Sequence, residues 1–322
     1  RNLYPLRYQH AVALAQAQSG RPVVLWSRSG WAGAQRHPAH WGGDPEASVA
    51  GLASAVRAGL NWGLSAPGLW GHDIGGFYGS GPSPALYVRW AQIGCLSPLA
   101  RFHGLSAREP WAFGKRALGI VRELVELRYR LLPYIWSATC EAALRGLPVM
   151  RPLAIEDPED PLIWRVEHEF FLGPDLLVTA VLSESEDPVA TPVVLPRGAW
   201  VDFWSGETFE GPCQMERVVP LERLPVFVRA GAVLAMGPVG QHTGEIDPKD
   251  WELHWWAGPE LTTTLWDGTE AFCYGPRWAD GQVAQGLPQA LWAKEPEPRA
   301  KRAVAHLSEG EVELPVERRN PS

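Results

Sequence analysis

Apolar residues open the chain in a helical rhythm. Leu3, Leu6, Tyr8, His10, Ala13 and Leu14 supply one broad face, so the spacing predicts a helix over residues 2–18, stopped by Ser19-Gly20. The run Val23, Val24, Leu25, Trp26 is apolar and β-branched and predicts a strand. Residues 28–44 turn polar and read as one loop. Val49, Leu52, Ala53, Val56 and Leu60 then recur at helical spacing and predict a helix over 48–60. A second apolar run, 60–70, is punctuated by Gly63, Pro67 and Gly68 and leads into a second polar loop, 71–77. A helix is expected over 84–95, followed by the polar cluster Arg101-Phe102-His103-Gly104. A long helix over 115–144 carries Leu118, Val121, Leu124, Val125, Leu131 and Leu132, and Gly146 closes it. Strand, polar loop and helix in alternation predict β/α units built on a parallel sheet.

After residue 147 the rhythm changes. Short apolar runs at 170–182, 191–195, 200–204 and 224–236 are separated by Gly, Pro and Asp, which predicts antiparallel strands of a sandwich. Runs at 251–256 and 261–274 predict a second, small β unit. Beyond about Leu291 the sequence becomes charged and proline-bearing, and little order is expected there. No internal repeat is visible.

Composition narrows the class. A chain of 322 residues, 46% apolar and 20% charged, is long enough for two or three domains with sizeable cores. A formal net charge of −7 argues against nucleic acid or an anionic membrane as partner. No apolar run approaches the ~20 residues of a membrane span. The four cysteines, Cys95, Cys140, Cys213 and Cys273, are widely spaced and carry neither a disulfide framework nor a zinc signature. That favours a reducing, cytoplasmic location. The 17 tryptophans are the outlier: they serve large cores and tight loops, or they offer flat platforms for the apolar faces of pyranose rings. The chain opens Arg1-Asn2-Leu3-Tyr4 without a methionine, as expected of a portion of a longer protein.

The candidate chemistry lies in the polar loops. Only four acidic residues, Asp44, Glu46, Asp73 and Glu109, occur in the first 110 positions. Asp44 and Asp73 end loops rich in glycine and aromatic residues, where poor hydration favours the protonated carboxyl and suits a general acid. Each candidate also has a plain structural reading. Asp44 heads Asp-Pro-Glu, a good helix start with Asp as N-cap. Asp73, beside Gly75-Gly76, suits an Asx turn. Arg28 suits a barrel ion pair, and His103 a satisfied core histidine. Their joint placement after successive strands favours a site, because in an α/β barrel that face carries the chemistry.

The sequence resembles glycoside hydrolase family 31, the α-glucosidases and α-xylosidases. The resemblance rests on Arg28-Ser-x-x-x-Gly33-x-Gln35, His40-Trp41-Gly42-Gly43-Asp44, His72-Asp73-Ile74-Gly75-Gly76-Phe77, and Arg89-Trp90 followed by Arg101-Phe102-His103-Gly104. It continues through Leu172-Gly173-Pro174-Asp175 and Gly198-Ala199-Trp200-Val201-Asp202-Phe203-Trp204, and ends clearly at Leu224-Pro225-Val226-Phe227-Val228-Arg229-Ala230-Gly231. It implies an α/β plus all-β chain. The later part of a (β/α)8 TIM barrel would span 1–146 and a proximal C-terminal antiparallel β-sandwich 147–238, with a distal β unit and poorly ordered tail over 239–322. It implies Asp44 as general acid/base, Arg28, Asp73 and His103 as partners of sugar hydroxyls, and Trp41 and Phe77 as aromatic walls. It also implies a retaining, exo-acting α-glycosidase that binds an oligosaccharide or α-glycoside, with no cofactor and no metal.

The nucleophile departs from the pattern. A retaining mechanism needs a second carboxylate about 5 Å from the first, and the family carries it as an aspartate on an earlier strand, upstream of anything here. Asp202-Phe203-Trp204-Ser205-Gly206-Glu207 imitates that motif but falls in the β region, so it is rejected. This chain is therefore expected to be a C-terminal portion, inactive alone, of an enzyme whose oligomeric state is open. A non-catalytic sugar-binding remnant is the rival reading, and the family also admits lyase or transglycosylase outcomes.

Overall fold

The computed structural model describes residues 1–20, 22–65, 68–256, 258, 263–266, 271–277, 290–293, 302–307 and 310–318. Helix α1, Leu3–Gln18, precedes three short parallel strands, β1 (Trp26–Ser27), β2 (Ala39–Trp41) and β3 (Leu69–Gly71), paired in that order. Trp26 pairs with Ala39, and Trp41 with Gly71. Helix α2, Val49–Leu64, buries Leu52, Ala55, Val56 and Leu60 on its inner face. Strand β4 (Asp73–Ile74) pairs in parallel with β5 (Arg101–Phe102), the two being separated by α3, Pro84–Cys95. Helix α4, Gly114–Arg145, ends on Gly146, whose φ of 73° is left-handed and suits glycine.

Two expectations for this region are corrected. Residues 28–44 are not one loop, because β2 runs through the middle of them. Arg28 therefore follows the first strand and Asp44 the second. The helix expected over 48–60 also runs further: α2 continues into the apolar run 60–70 as far as Leu64, and β3 begins only at Leu69. The glycines there serve contact rather than chain reversal. A Cβ on Gly59 would lie 2.6 Å from Trp70, and one on Gly63 would lie 3.0 Å from the Met150 carbonyl oxygen.

The second half is antiparallel. Strands β6 (Met150–Arg151), β7 (Glu169–Leu172), β8 (Leu176–Thr179), β9 (Val189–Asp202), β10 (Thr208–Val219) and β11 (Val226–Arg229) form one sheet in the order β10-β9-β11-β8-β7-β6. The runs 191–195 and 200–204 thus belong to one strand, β9, apart from its last two residues. Its partner β10 carries Glu210, Gln214 and Glu216 on alternating positions, so it shows no apolar run and escapes a search for one. Side chains alternate across the sheet with period two. Phe170, Leu172, Leu176 and Val178 join a core shared with α2, α3 and α4. Phe171, Leu177, Val193, Trp200 and Phe227 form a separate core.

Arg89, buried within α3, bolts the two halves together. Its Nη1 donates to the carbonyls of Pro220 at 3.0 Å and Arg223 at 2.8 Å, and Gln92 Nε2 donates to Leu221 at 2.7 Å. Burial lowers the Arg89 pKa to about 10, which leaves it charged at neutral pH.

Strands β12 (Val233–Met236) and β13 (Glu252–Trp256) begin the distal unit. A second distal sheet contains β14 (Thr263–Trp266), β15 (Ala271–Arg277) and β16 (Ala290–Ala293). The tail, expected to carry little order, supplies β17 (Arg302–Leu307), β18 (Gly310–Leu314) and β19 (Val316–Arg318). Strand β17 pairs in parallel with β13, and Ala303, Ala305 and Leu314 pack with Val233, Leu253 and Trp255. That shared core accounts for the order. The residues between these strands in the 261–274 unit and in the tail lie outside the described set.

Candidate active site

Parallel register gathers the polar ends of β1, β2, β4 and β5. Within β1–β3 the faces divide cleanly. His40 and Trp70 turn toward α2, where the His40 ring lies 5.0 Å from Trp62 and the Trp70 ring 6.4 Å from Trp62. Trp26 and Trp41 take the opposite face, and Gly71 leaves room for them, since a Cβ there would meet Trp26 at 2.8 Å. A cleft of about 410 Å³ opens beside this face, lined by Trp26, Arg28 and Trp41 with Tyr4, Tyr8 and Gln9 of α1.

Asp44 sits three residues past β2, its side chain 38% exposed, with Arg28 Nη1 3.6 Å from its Oδ1. It does not cap α2. That role belongs to Ser48, whose Oγ accepts from Gly51 N at 3.1 Å. The poor hydration expected of both carboxyls is therefore absent at Asp44, whose surroundings are open.

Asp73 is the opposite case. It is fully buried, with Arg101 Nε donating to its Oδ1 at 2.6 Å and Arg101 Nη2 equally close. Burial pushes its pKa up; Arg101 and His103 oppose that rise, and the nearby Asp44 charge adds to it. Its side chain makes no Asx turn. The turn is closed by its main-chain carbonyl, which accepts from Gly76 N at 3.0 Å. Trp90 Nε1 donates to Nδ1 of the buried His72 at 3.0 Å, fixing the residue before Asp73, and burial lowers that histidine to about 4.

His103 is exposed, which removes the core reading, and its ring lies 5.5 Å from that of Phe77. The loops carrying these groups are stitched by backbone. Phe77 N donates to the Pro45 carbonyl at 2.7 Å, Ala47 N to Tyr78 at 2.8 Å, and Leu105 N to Phe77 at 2.8 Å. Arg108, buried beneath, donates from Nε to the Gly76 carbonyl at 2.9 Å. Arg28, Trp41, Asp44, Asp73, Phe77 and His103 thus belong to one linked constellation.

Arg101 was legible only as part of a motif, two residues before His103. Its guanidinium carbon lies 5.2 Å from the Trp26 ring centroid and 5.0 Å from that of Trp41. Among the described residues, no group of three or more His, Cys, Asp or Glu side chains is placed to hold a metal ion.

Such a constellation at the ends of parallel strands, ahead of an antiparallel sandwich, is the layout of a barrel glycosidase. The model of the glycosyl hydrolases family 31 TIM-barrel domain matches residues 1–138, and that of the family's C-terminal domain matches 146–234. The chain belongs to glycoside hydrolase family 31. It is 37% identical to an α-xylosidase of Saccharolobus solfataricus over 243 residues, covering 73% of this chain and 33% of that protein. It is 35% identical to α-glucosidase 2 of Bacillus thermoamyloliquefaciens over 228 residues, covering 70% of this chain and 29% of that protein. A Flavobacterium johnsoniae family 31 dextranase, solved with isomaltotriose, superposes with a TM-score of 0.78 at 26% identity, covering 98% of this chain and 47% of that one. The chain spans about a third of the length of these curated relatives.

Proposed function

We propose that this chain is the C-terminal portion of a retaining, exo-acting α-glycosidase that removes terminal α-linked glucose or xylose. The observation that carries the reading is Asp44, relieved of helix capping by Ser48, open to solvent and held by Arg28 at 3.6 Å. A carboxyl so placed can protonate a departing glycosidic oxygen and then deprotonate the incoming water. Trp41 and Phe77 offer faces to the ring, and Arg28 and His103 offer polar contacts to its hydroxyls. The similarity to an α-xylosidase and an α-glucosidase supports the choice of glycone.

The nucleophile is assigned to polypeptide outside this chain. Asp73 is the other carboxyl of the constellation, and it is buried behind Arg101, unable to attack an anomeric carbon. The exposed flank of α1 and β1 supports the same view: Tyr4 is 71% and Val24 72% exposed beside the edge strand of the sheet. Further barrel strands would cover it.

The test compares this chain alone with a polypeptide extended upstream. Expressed alone, the chain should aggregate or turn over no aryl α-glucoside or α-xyloside. The extended protein should hydrolyse one of them and release the α-anomer first, as seen by proton NMR. Enzyme-like turnover by the chain alone would defeat the assignment of the nucleophile, and release of the β-anomer would defeat retention.

A further inference from the structure

Arg101 and Asp73 are paired across β4 and β5, yet only one of them has a surface to offer. Asp73 is wholly buried, whereas the Arg101 side chain is 30% exposed. The second oxygen of Asp73, Oδ2, is sealed from solvent and has no hydrogen-bond partner among the described residues, so neither oxygen of this carboxyl is presented to a sugar hydroxyl. Arg101 spends one edge of its guanidinium, Nε and Nη2, on Asp73 Oδ1 at 2.6 Å. Among the described residues its Nη1 makes no hydrogen bond. The Trp26 and Trp41 rings hold the group at 5.2 and 5.0 Å from their centroids, which fixes where that free nitrogen can go.

We propose that Arg101, rather than Asp73, is the group that touches the sugar: Nη1 donates to one hydroxyl oxygen of a glycone seated against Trp41, and Asp73 is a positioning residue that holds the guanidinium from behind. The assignment rests on the glycosidase reading above. It reverses the role that resemblance gave to Asp73. Geometry and charge both favour a neutral hydroxyl as the acceptor. Asp73 already supplies the counter-charge to Arg101, and a fixed planar donor gives direction without needing a second anion. Burial of Asp73 raises its pKa, so the charge on that carboxyl depends on Arg101 remaining in place.

The upstream-extended enzyme is assayed on an aryl α-glycoside and on its singly deoxygenated analogues, with the variants Arg101→Met, Asp73→Asn and the double variant. In the parent, loss of one particular hydroxyl should lower kcat/KM by about 10- to 100-fold, the size of a hydrogen bond to a charged group. Arg101→Met should reduce that penalty to below roughly threefold while leaving the penalties at other hydroxyls in place. Asp73→Asn, which keeps an oxygen facing Arg101, should retain most of it. The double variant removes both charges, so it avoids the buried unpaired carboxylate that could unfold Arg101→Met. It should behave as Arg101→Met does. The proposal is overturned if the penalty vanishes in Asp73→Asn and survives in Arg101→Met, or if neither variant changes it. Absence of turnover by the parent on every α-glycoside would instead overturn the reading of the function, before any variant is compared.

Discussion

Gly43 lies against the guanidinium of Arg28. A Cβ at this position would meet Arg28 Nε and Nη2 at 2.8 Å, and the backbone φ of 81° is left-handed. Glycine is needed here twice, for conformation and for space. Gly43→Ala should lose roughly 1–2 kcal/mol of stability from the left-handed backbone. It should also displace Arg28 from Asp44, and a shift of that kind near the reacting centre lowers kcat/KM by about 10²-fold. Urea unfolding and steady-state kinetics check the two parts separately; unchanged kinetics would detach Arg28 from the site.

In the upstream-extended enzyme, to which all the kinetic predictions apply, Asp44→Ala should cripple hydrolysis of a disaccharide by roughly 10²–10⁴-fold, the range of acid–base assistance. A glycosyl fluoride needs little acid help, so the glycosyl-enzyme should still form and accumulate, giving a burst followed by slow turnover. Azide needs no general base and should restore turnover with an α-glycosyl azide as product. Retained disaccharide activity would show that Asp44 is not the acid/base.

Ser48→Ala supplies the contrast. Ser48 caps α2 and stands four residues from Asp44. Its loss should cost about 1 kcal/mol of stability with kcat/KM within a factor of two or so on every substrate. Thermal unfolding and kinetics on one preparation separate capping from chemistry; a large kinetic loss would mean that the cap also shapes the site.

His103 is exposed and rests on Phe77, so His103→Ala should leave stability within about 0.5 kcal/mol. A hydroxyl contact that strengthens in the transition state should lower kcat/KM by ~10–100-fold. Unchanged kinetics on both glucosides and xylosides would exclude His103 from the subsite.

Glu169 gives a pH signature far from the site. It is fully buried in β7, and burial raises its pKa from 4.5 to about 8, against the pull of the Val194 N–H that it accepts at 2.9 Å. The folded protein therefore binds a proton that the unfolded chain releases between these values. Its contribution to stability is complete below about pH 4.5 and is lost as pH rises through about 8. Melting temperature should fall over that window, and Glu169→Gln, which still accepts from Val194, should flatten the fall. An unchanged slope in the variant would assign it to other groups.

Much of this architecture could be read along the chain. Helices at 2–18, 84–95 and 115–144 emerge from apolar periodicity, and Leu3–Gln18, Pro84–Cys95 and Gly114–Arg145 match them closely. Long helices carry a repeated local signal that a reader can sum. Strands of two or three residues carry almost none, which is why β2 reads as part of a loop over 28–44. Strand β10 was missed for a related reason: its exposed face is charged, and only the pairing with β9 makes it a strand.

At the site, sequence alone determined which residue types stand after successive strands, because order along the chain needs no folding to be seen. Arg28, Asp44, Asp73 and His103 are candidates on that ground, and Trp41 and Phe77 enter through the resemblance. Their surroundings belong to the tertiary structure. The sequence made Asp44 and Asp73 equivalent carboxyls in glycine-rich loops. The fold left one open beside Arg28 and sealed the other behind Arg101. Burial and charge pairing depend on atoms brought from distant positions: Arg101 reaches Asp73 from 28 residues away. Desolvation is set by everything packed around a group rather than by its neighbours in sequence. Only the assembled strands could decide which carboxyl lies open beside Arg28 and which is buried against Arg101.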